Sequence, residues 1–134
     1  HKAYQQTTVL YELREYLPDD VPLHLYADHV VLHIASILRP RHSLEDFYHP
    51  LLLMNRDYDR IHHTDFVVTL YEYLTYIDNP SLIAAHLNIH KNTLYYRINK
   101  LKELFPMDLN DGSLRLRLQL SMEILRLEHE FKAE

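Results

Sequence analysis

Apolar positions recur at helical spacing along most of the chain, and short clusters of Pro, Asp and Asn divide them into segments. Leu10, Leu13 and Leu17 predict a helix over residues 2–17 that Pro18 and the two Asp residues after it bring to an end. Val21, Leu23 and Leu25 then alternate with Pro22, His24 and Tyr26, the period of one short strand. Asp28 stands where a residue could cap the apolar stretch Val30 to Leu38, which Pro40 closes. Ser43 and Asp46 have the spacing of a capping box ahead of Phe47, Leu51 and Met54, and predict a helix to about Arg60 that Pro50 bends or divides.

The pattern changes scale in the second half. Phe66, Leu70, Tyr73, Leu74 and Ile77 predict an amphipathic helix with Thr64 as its N-cap and Asp78-Asn79-Pro80 as its stop. A short helix follows, Ser81 to Leu87, ending at Asn88, which after Gly best tolerates a left-handed backbone. The next helix runs from Lys91 to Leu104, with Leu94, Ile98, Leu101 and Phe105 on one stripe, and Pro106 ends it. In the last segment Leu114, Leu116, Leu118 and Leu120 alternate as in a strand. Its Leu, Arg, Gln, Met and Glu content nevertheless favours a closing helix over 111–131, capped by Asp111 or Ser113. Wound as a helix, Leu114, Leu118, Met122 and Leu125 lie on one side and Leu116, Leu120, Ile124 and Leu127 on another. Two apolar sides predict two packing partners, one of them in a second subunit, and hence a homodimer. The fold class expected is mainly all-α: a helix-turn-helix bundle with a long C-terminal helix and one short N-terminal strand.

Composition narrows the chemistry. A chain of 134 residues that is 47% hydrophobic can bury a core. It contains no Cys, which removes disulfides, thiolate metal sites and thiol nucleophiles. A single glycine, Gly112, cannot build a phosphate-cradling loop of the Walker or dinucleotide type. No apolar run spans a bilayer and the first residues lack the centre of a signal peptide, so a cytoplasmic protein with no membrane partner is expected. The chain opens at His1 inside a helical pattern, which predicts a piece of a longer protein whose upstream sensor lies outside it.

The net charge of −5 is unevenly spread. Residues 79–107 carry Lys91, Arg97, Lys100 and Lys102 against Glu103 alone, a local +3 that leaves −8 for the rest. Cations gathered in one helical stretch are what a phosphate-contacting element needs.

Eleven His residues raise the question of a metal. His29 and His33 stand at i, i+4, but no further ligand completes a set, His62 and His63 are adjacent, and His86 and His90 straddle a turn; no metal site and no cofactor is expected. Asp57, Asp59 and Asp65 read as a solvated face rather than paired catalytic carboxylates, and the eleven Tyr read as packing residues, so no catalytic residue is assigned and no enzyme is expected.

The remaining signal is the pair of short helices around Asn88. In a helix-turn-helix the first helix crosses the second, which requires a small residue where they touch, here Ala84. Four positions on the turn requires a residue tolerant of positive φ, here Asn88, and six further on Leu94 turns back into the angle between the helices. The second helix would then enter the major groove with Lys91, Asn92, Tyr95 and Tyr96 towards base edges and Thr93, Arg97 and Lys100 towards phosphates. Asn92, able to donate and accept, suits adenine. A helical pair with a tight turn also occurs in all-α proteins that bind no DNA, so pattern alone leaves open a protein-interaction or dimerisation domain whose 91–104 helix packs on a partner.

Asn79 to Leu104, and HKNTLYYRI at 90–98 above all, resembles the C-terminal helix-turn-helix of the PucR family of purine-catabolism regulators and the related CdaR-type sugar-diacid regulators. HPLLLMNRDYDR at 49–60, DFVVTLYEYLTYIDN at 65–79, Met107-Asp108-Leu109 and LRLRLQLSMEILRL at 114–127 extend the likeness to roughly residues 21–127. The resemblance implies a sequence-specific module for double-stranded promoter DNA in a bacterial transcription regulator of catabolic genes. It implies a helical DNA-binding domain over 28–134, with its helix-turn-helix core at 79–104. It also implies that residues 1–27 are the tail of an upstream GGDEF-like module without cyclase motifs. Asn92, Thr93 and Arg97 match positions in the family's DNA-contacting helix and His90 matches the His at its start, whereas Tyr95 stands where relatives usually carry Arg.

Overall fold

The computed structural model describes residues 1–20 and 22–132, with side chains as far as His129. Among the described residues there are seven α-helices: α1 Lys2–Glu12, α2 Val30–Leu38, α3 Pro50–His62, α4 Phe66–Thr75, α5 Pro80–His86, α6 Lys91–Leu104 and α7 Gly112–Lys132. Short 3₁₀ turns cover Arg14–Tyr16, Tyr26–His29 and Leu44–Phe47. The backbone divides into two compact units, one of residues 1–47 with 123–134, the other of residues 48–122.

The first unit holds α1, α2 and the end of α7. Leu13, Leu32, Ala35, Leu44, Ile124 and Leu127 are its buried apolar residues. The expected strand is absent among the described residues, and its first position, Val21, lies outside them. Leu23 and Leu25 are 70% and 55% exposed, and Leu25 is extended but unpaired. Alternation without a neighbouring strand to take up its hydrogen bonds does not make a sheet. Asp28 falls inside a 3₁₀ turn, so α2 starts at His29 without a side-chain cap.

The second unit is built around α4 and α6. Leu51, Leu52, Phe66, Leu70, Leu74, Ile83, Leu94, Ile98, Leu101 and Leu118 are all buried in it. Pro50 divides the predicted 43–60 helix: a 3₁₀ turn precedes it and α3 begins at it, because a ring that supplies no N–H is tolerated at a first helical position. His49 Nδ1 caps α3 by accepting the Leu51 amide at 3.2 Å. Its own amide donates to Ser121 Oγ of α7 at 2.8 Å.

The start of α4 departs from expectation. Thr64 does not cap it; its hydroxyl donates to Asp59 Oδ1 of α3. The same carboxylate accepts the amides of Phe66 and Val67, each at 2.8 Å. Asp59 is therefore a cap supplied by the preceding helix and not part of a solvated face. Tyr58 fastens the same corner, stacked on Phe66 at 5.6 Å and edge-on to Phe105 at 5.9 Å.

α7 is helical throughout, with Asp111 Oδ1 accepting the Ser113 amide at 2.9 Å at its start. In its first half Leu114, Leu118 and Met122 are buried, whereas Leu116 and Leu120 are 67% and 43% exposed. Ile124 and Leu127, expected on the same side as Leu116 and Leu120, are buried in the first unit.

Candidate nucleic-acid interface

α5 starts with Asn79 Oδ1 accepting the Leu82 amide at 3.2 Å and Pro80 in the first turn. Its polypeptide reverses at Asn88, whose φ of 53° is left-handed, and the Ile89 amide donates to the Ala84 carbonyl at 3.0 Å to close the turn. Ala84 and Leu94 are 4% and 1% exposed, as a close helix crossing demands. On the far side of α5, His86 faces α4: its Nδ1 lies 3.0 Å from Glu72 Oε2 and its ring meets Tyr76 edge-on at 4.7 Å.

α6 buries Leu94, Ile98 and Leu101 against α4 and α5. Its other flank is open. Lys91, Asn92, Thr93, Tyr95 and Tyr96 are all exposed, and among the described residues none of these five side chains is held by a hydrogen bond or ion pair. The helix begins at His90, which makes no side-chain cap, so the first-turn amides and the positive end of the helix dipole lie beside this flank.

Arg97 and Lys100 differ from these five. Arg97 is half-buried; its Nη1 donates to Thr69 Oγ1 of α4 at 3.2 Å and its Nη2 lies 3.6 Å from Asp65 Oδ2. Lys100 is also half-buried and stands 3.5 Å from Glu103. Both border a cleft of about 300 Å³, whose other wall is the α3–α4 corner with Tyr58, His63, Thr64 and Asp65. Sequence reading gave that corner no part in DNA contact, because its residues are 26 or more positions from α6 and only the packing of α4 against α6 brings them together.

The histidines arrange otherwise than their spacing suggests. His29 Nε2 pairs with His24 Nδ1 at 3.1 Å, while His33 Nδ1 meets the Tyr26 hydroxyl at 2.8 Å, so the i, i+4 pair points at different partners. Among the described residues no three His, Asp or Glu side chains gather as a metal ion would require. No described helix is long and apolar enough to cross a membrane.

Comparison with known proteins agrees with this geometry. Residues 66–124, from the first residue of α4 into α7, match the PucR C-terminal helix-turn-helix domain family. The chain is 21% identical over 128 residues to the DNA-binding transcriptional activator AdeR of Bacillus subtilis (strain 168), a match that covers 95% of this chain. It spans 30% of the length of that relative. No solved structure matches the chain significantly. The left-handed Asn88, the buried Ala84 and Leu94 and the exposed start of α6 all fall within the segment that matches this family, so the helix-turn-helix formed by α5 and α6 is similar to that of the PucR C-terminal domain.

Proposed function

We propose that this chain is the sequence-specific DNA-binding module of a bacterial transcription regulator, with α6 as its recognition helix. The observation that carries the reading is the flank Lys91, Asn92, Thr93, Tyr95 and Tyr96, exposed and unheld at the start of a helix whose opposite stripe is buried. Apolar burial on one side fixes the helix; unpaired donors, acceptors and aromatic rings on the other can be spent on a groove. In this reading Lys91, Asn92, Tyr95 and Tyr96 meet base edges, with Asn92 reading adenine, and Thr93, Arg97 and Lys100 meet phosphates.

The AdeR name describes a DNA-binding transcriptional activator, which supports the same role here. The wider reading is a cytoplasmic, non-enzymatic homodimer that controls catabolic genes in response to a signal sensed upstream. Residues 1–27 are then the tail of an upstream GGDEF-like module and 28–134 the DNA-binding domain. The exposed pair Leu116 and Leu120 supports the dimer; light scattering that shows only monomer at high concentration would count against it.

The deciding experiment is a salt titration of binding to promoter DNA. A dimer making roughly six to eight phosphate contacts loses affinity steeply as salt rises, whereas a flat response rejects the module. Asn92→Ala separates recognition from mere attraction: it flattens preference among sequences while leaving non-specific affinity nearly intact. The alternative, a helical protein-interaction domain, fits the exposed flank of α6 less well, since a protein interface favours an apolar face there.

A further inference from the structure

We infer that the cleft between the α3–α4 corner and α6 is the seat of one DNA backbone phosphate, held by His63, Arg97 and Lys100 with the hydroxyl of Thr93 beside them. The inference rests on the DNA-binding reading and adds the α3–α4 corner to its contact surface. These four residues line one cleft of about 300 Å³. Three of their side chains offer N–H donors and Thr93 offers an O–H donor, a set suited to a tetrahedral oxyanion.

The dimensions favour the backbone of the duplex that α6 reads over a free anion. Lys100 is eight residues beyond Asn92, about 12 Å along the axis at the α-helical rise. A major groove is also about 12 Å wide, with a phosphate strand as its border. With Asn92 at a base edge, Lys100 and the cleft behind it therefore come level with that border. The corner is held rigidly enough to serve: Thr64 is fixed by its hydrogen bond to Asp59, and His63 before it takes the left-handed φ of 53° that ends α3.

Three acidic groups stand near the cleft or its cations: Asp59, Asp65 and the exposed Glu103, 3.5 Å from Lys100 in an i, i+3 pair. The Asp59 carboxylate is already occupied by one hydroxyl and two amides. Asp65, 68% exposed, stands 3.6 Å from Arg97 and is the unfavourable neighbour of an incoming phosphate. At that distance the ion pair is loose, and Arg97 can turn Nη2 to the phosphate while Nη1 keeps Thr69.

The test is a scan of a bound duplex with single neutral methylphosphonates, on the wild-type chain and on Lys100→Ala, His63→Asn and Asp65→Asn. Asn is chosen at 63 because it tolerates the left-handed backbone. One phosphate outside the base-reading steps should cost the wild-type chain several-fold in affinity when neutralised and cost Lys100→Ala and His63→Asn much less. Lys100→Ala should also lower the salt slope by about 1. Asp65→Asn should bind unmodified duplex several-fold more tightly. Additive losses at every phosphate, with Asn92→Ala still flattening sequence preference, overturn the seat and leave the DNA reading standing. Loss of both effects overturns both. If inorganic phosphate alone shifts the Thr64 and Thr93 amide resonances while the methylphosphonate scan is flat, the cleft takes a free anion and the assignment to the duplex fails.

Discussion

Arg97 of α6 donates through Nη1 to the hydroxyl of Thr69 on α4, 3.2 Å away, so a cation expected to serve DNA also fastens its own helix to the scaffold. Thr69 is fully buried and its hydroxyl in turn donates to the Asp65 carbonyl at 2.7 Å. A hydrogen bond from a charged donor to a buried hydroxyl is worth more than a surface ion pair, which contributes little. Arg97→Ala should therefore lower unfolding stability by about 1–2 kcal/mol in urea as well as weaken DNA binding. Arg97→Lys should keep most of the charge-driven affinity and still lose stability. An unchanged urea midpoint in both variants would falsify the fastening role.

Asp59 holds the α3–α4 corner by accepting three hydrogen bonds at the start of a helix that has no side-chain cap of its own. Removing a helix cap costs about 0.5–2 kcal/mol, and Asp59→Ala should fall at the upper end because two amides are orphaned. Asp59→Asn, which keeps one carbonyl oxygen, should lose about half as much. Equal losses from Ala and Asn would mean that the carboxylate geometry, and not its number of acceptors, is what matters.

At Asn88 the left-handed φ of 53° is an obligation of the turn. Asn88→Gly should change stability by no more than a few tenths of a kcal/mol, whereas a β-branched Val in the same conformation should cost about 1–2 kcal/mol or more. Thermal melts of the two variants decide it: a Val variant as stable as Gly would show that the turn can relax.

His49 makes the second unit sensitive to acid. Burial, and then the positive charge of Arg117, hold its imidazole below the ordinary value of 6.5. Its Nδ1 accepts the Leu51 amide, a bond that a proton on Nδ1 would abolish. In the unfolded chain the ring takes its proton near 6.5 while the folded chain resists, so the unfolded state binds more protons as pH falls. The stability this cap contributes is complete above about pH 7 and is lost progressively below 6.5. Urea midpoints measured across that range should fall with pH in the wild-type chain and fall less in His49→Asn. Parallel curves would remove His49 from the account.

Much of the helix-turn-helix was legible in the linear chain for a local reason. The spacing Ala84, Asn88, Leu94 and the stripe Leu94, Ile98, Leu101 concern residues within a few turns of one another, where helical periodicity and φ preference decide nearly everything. The exposed flank of α6 follows from the same arithmetic, since what is not on the stripe faces away from it. α7 reads as a helix despite its strand-like alternation because its Leu, Arg, Gln, Met and Glu are good helix formers, whereas Leu23 and Leu25 do not form a strand because no neighbouring strand pairs with them.

Sequence by itself determined the helices, the left-handed turn and the face that α6 leaves open, because each is set by neighbours along the chain. Only tertiary structure decided that Asp59 caps a helix it does not belong to, that Arg97 is shared between scaffold and surface, and that His63 and Thr64 join the border of α6. Those relationships span seven to nearly forty residues and depend on how α3, α4 and α6 pack; no periodicity encodes which polar side chain a distant helix end will find when water is excluded from between them.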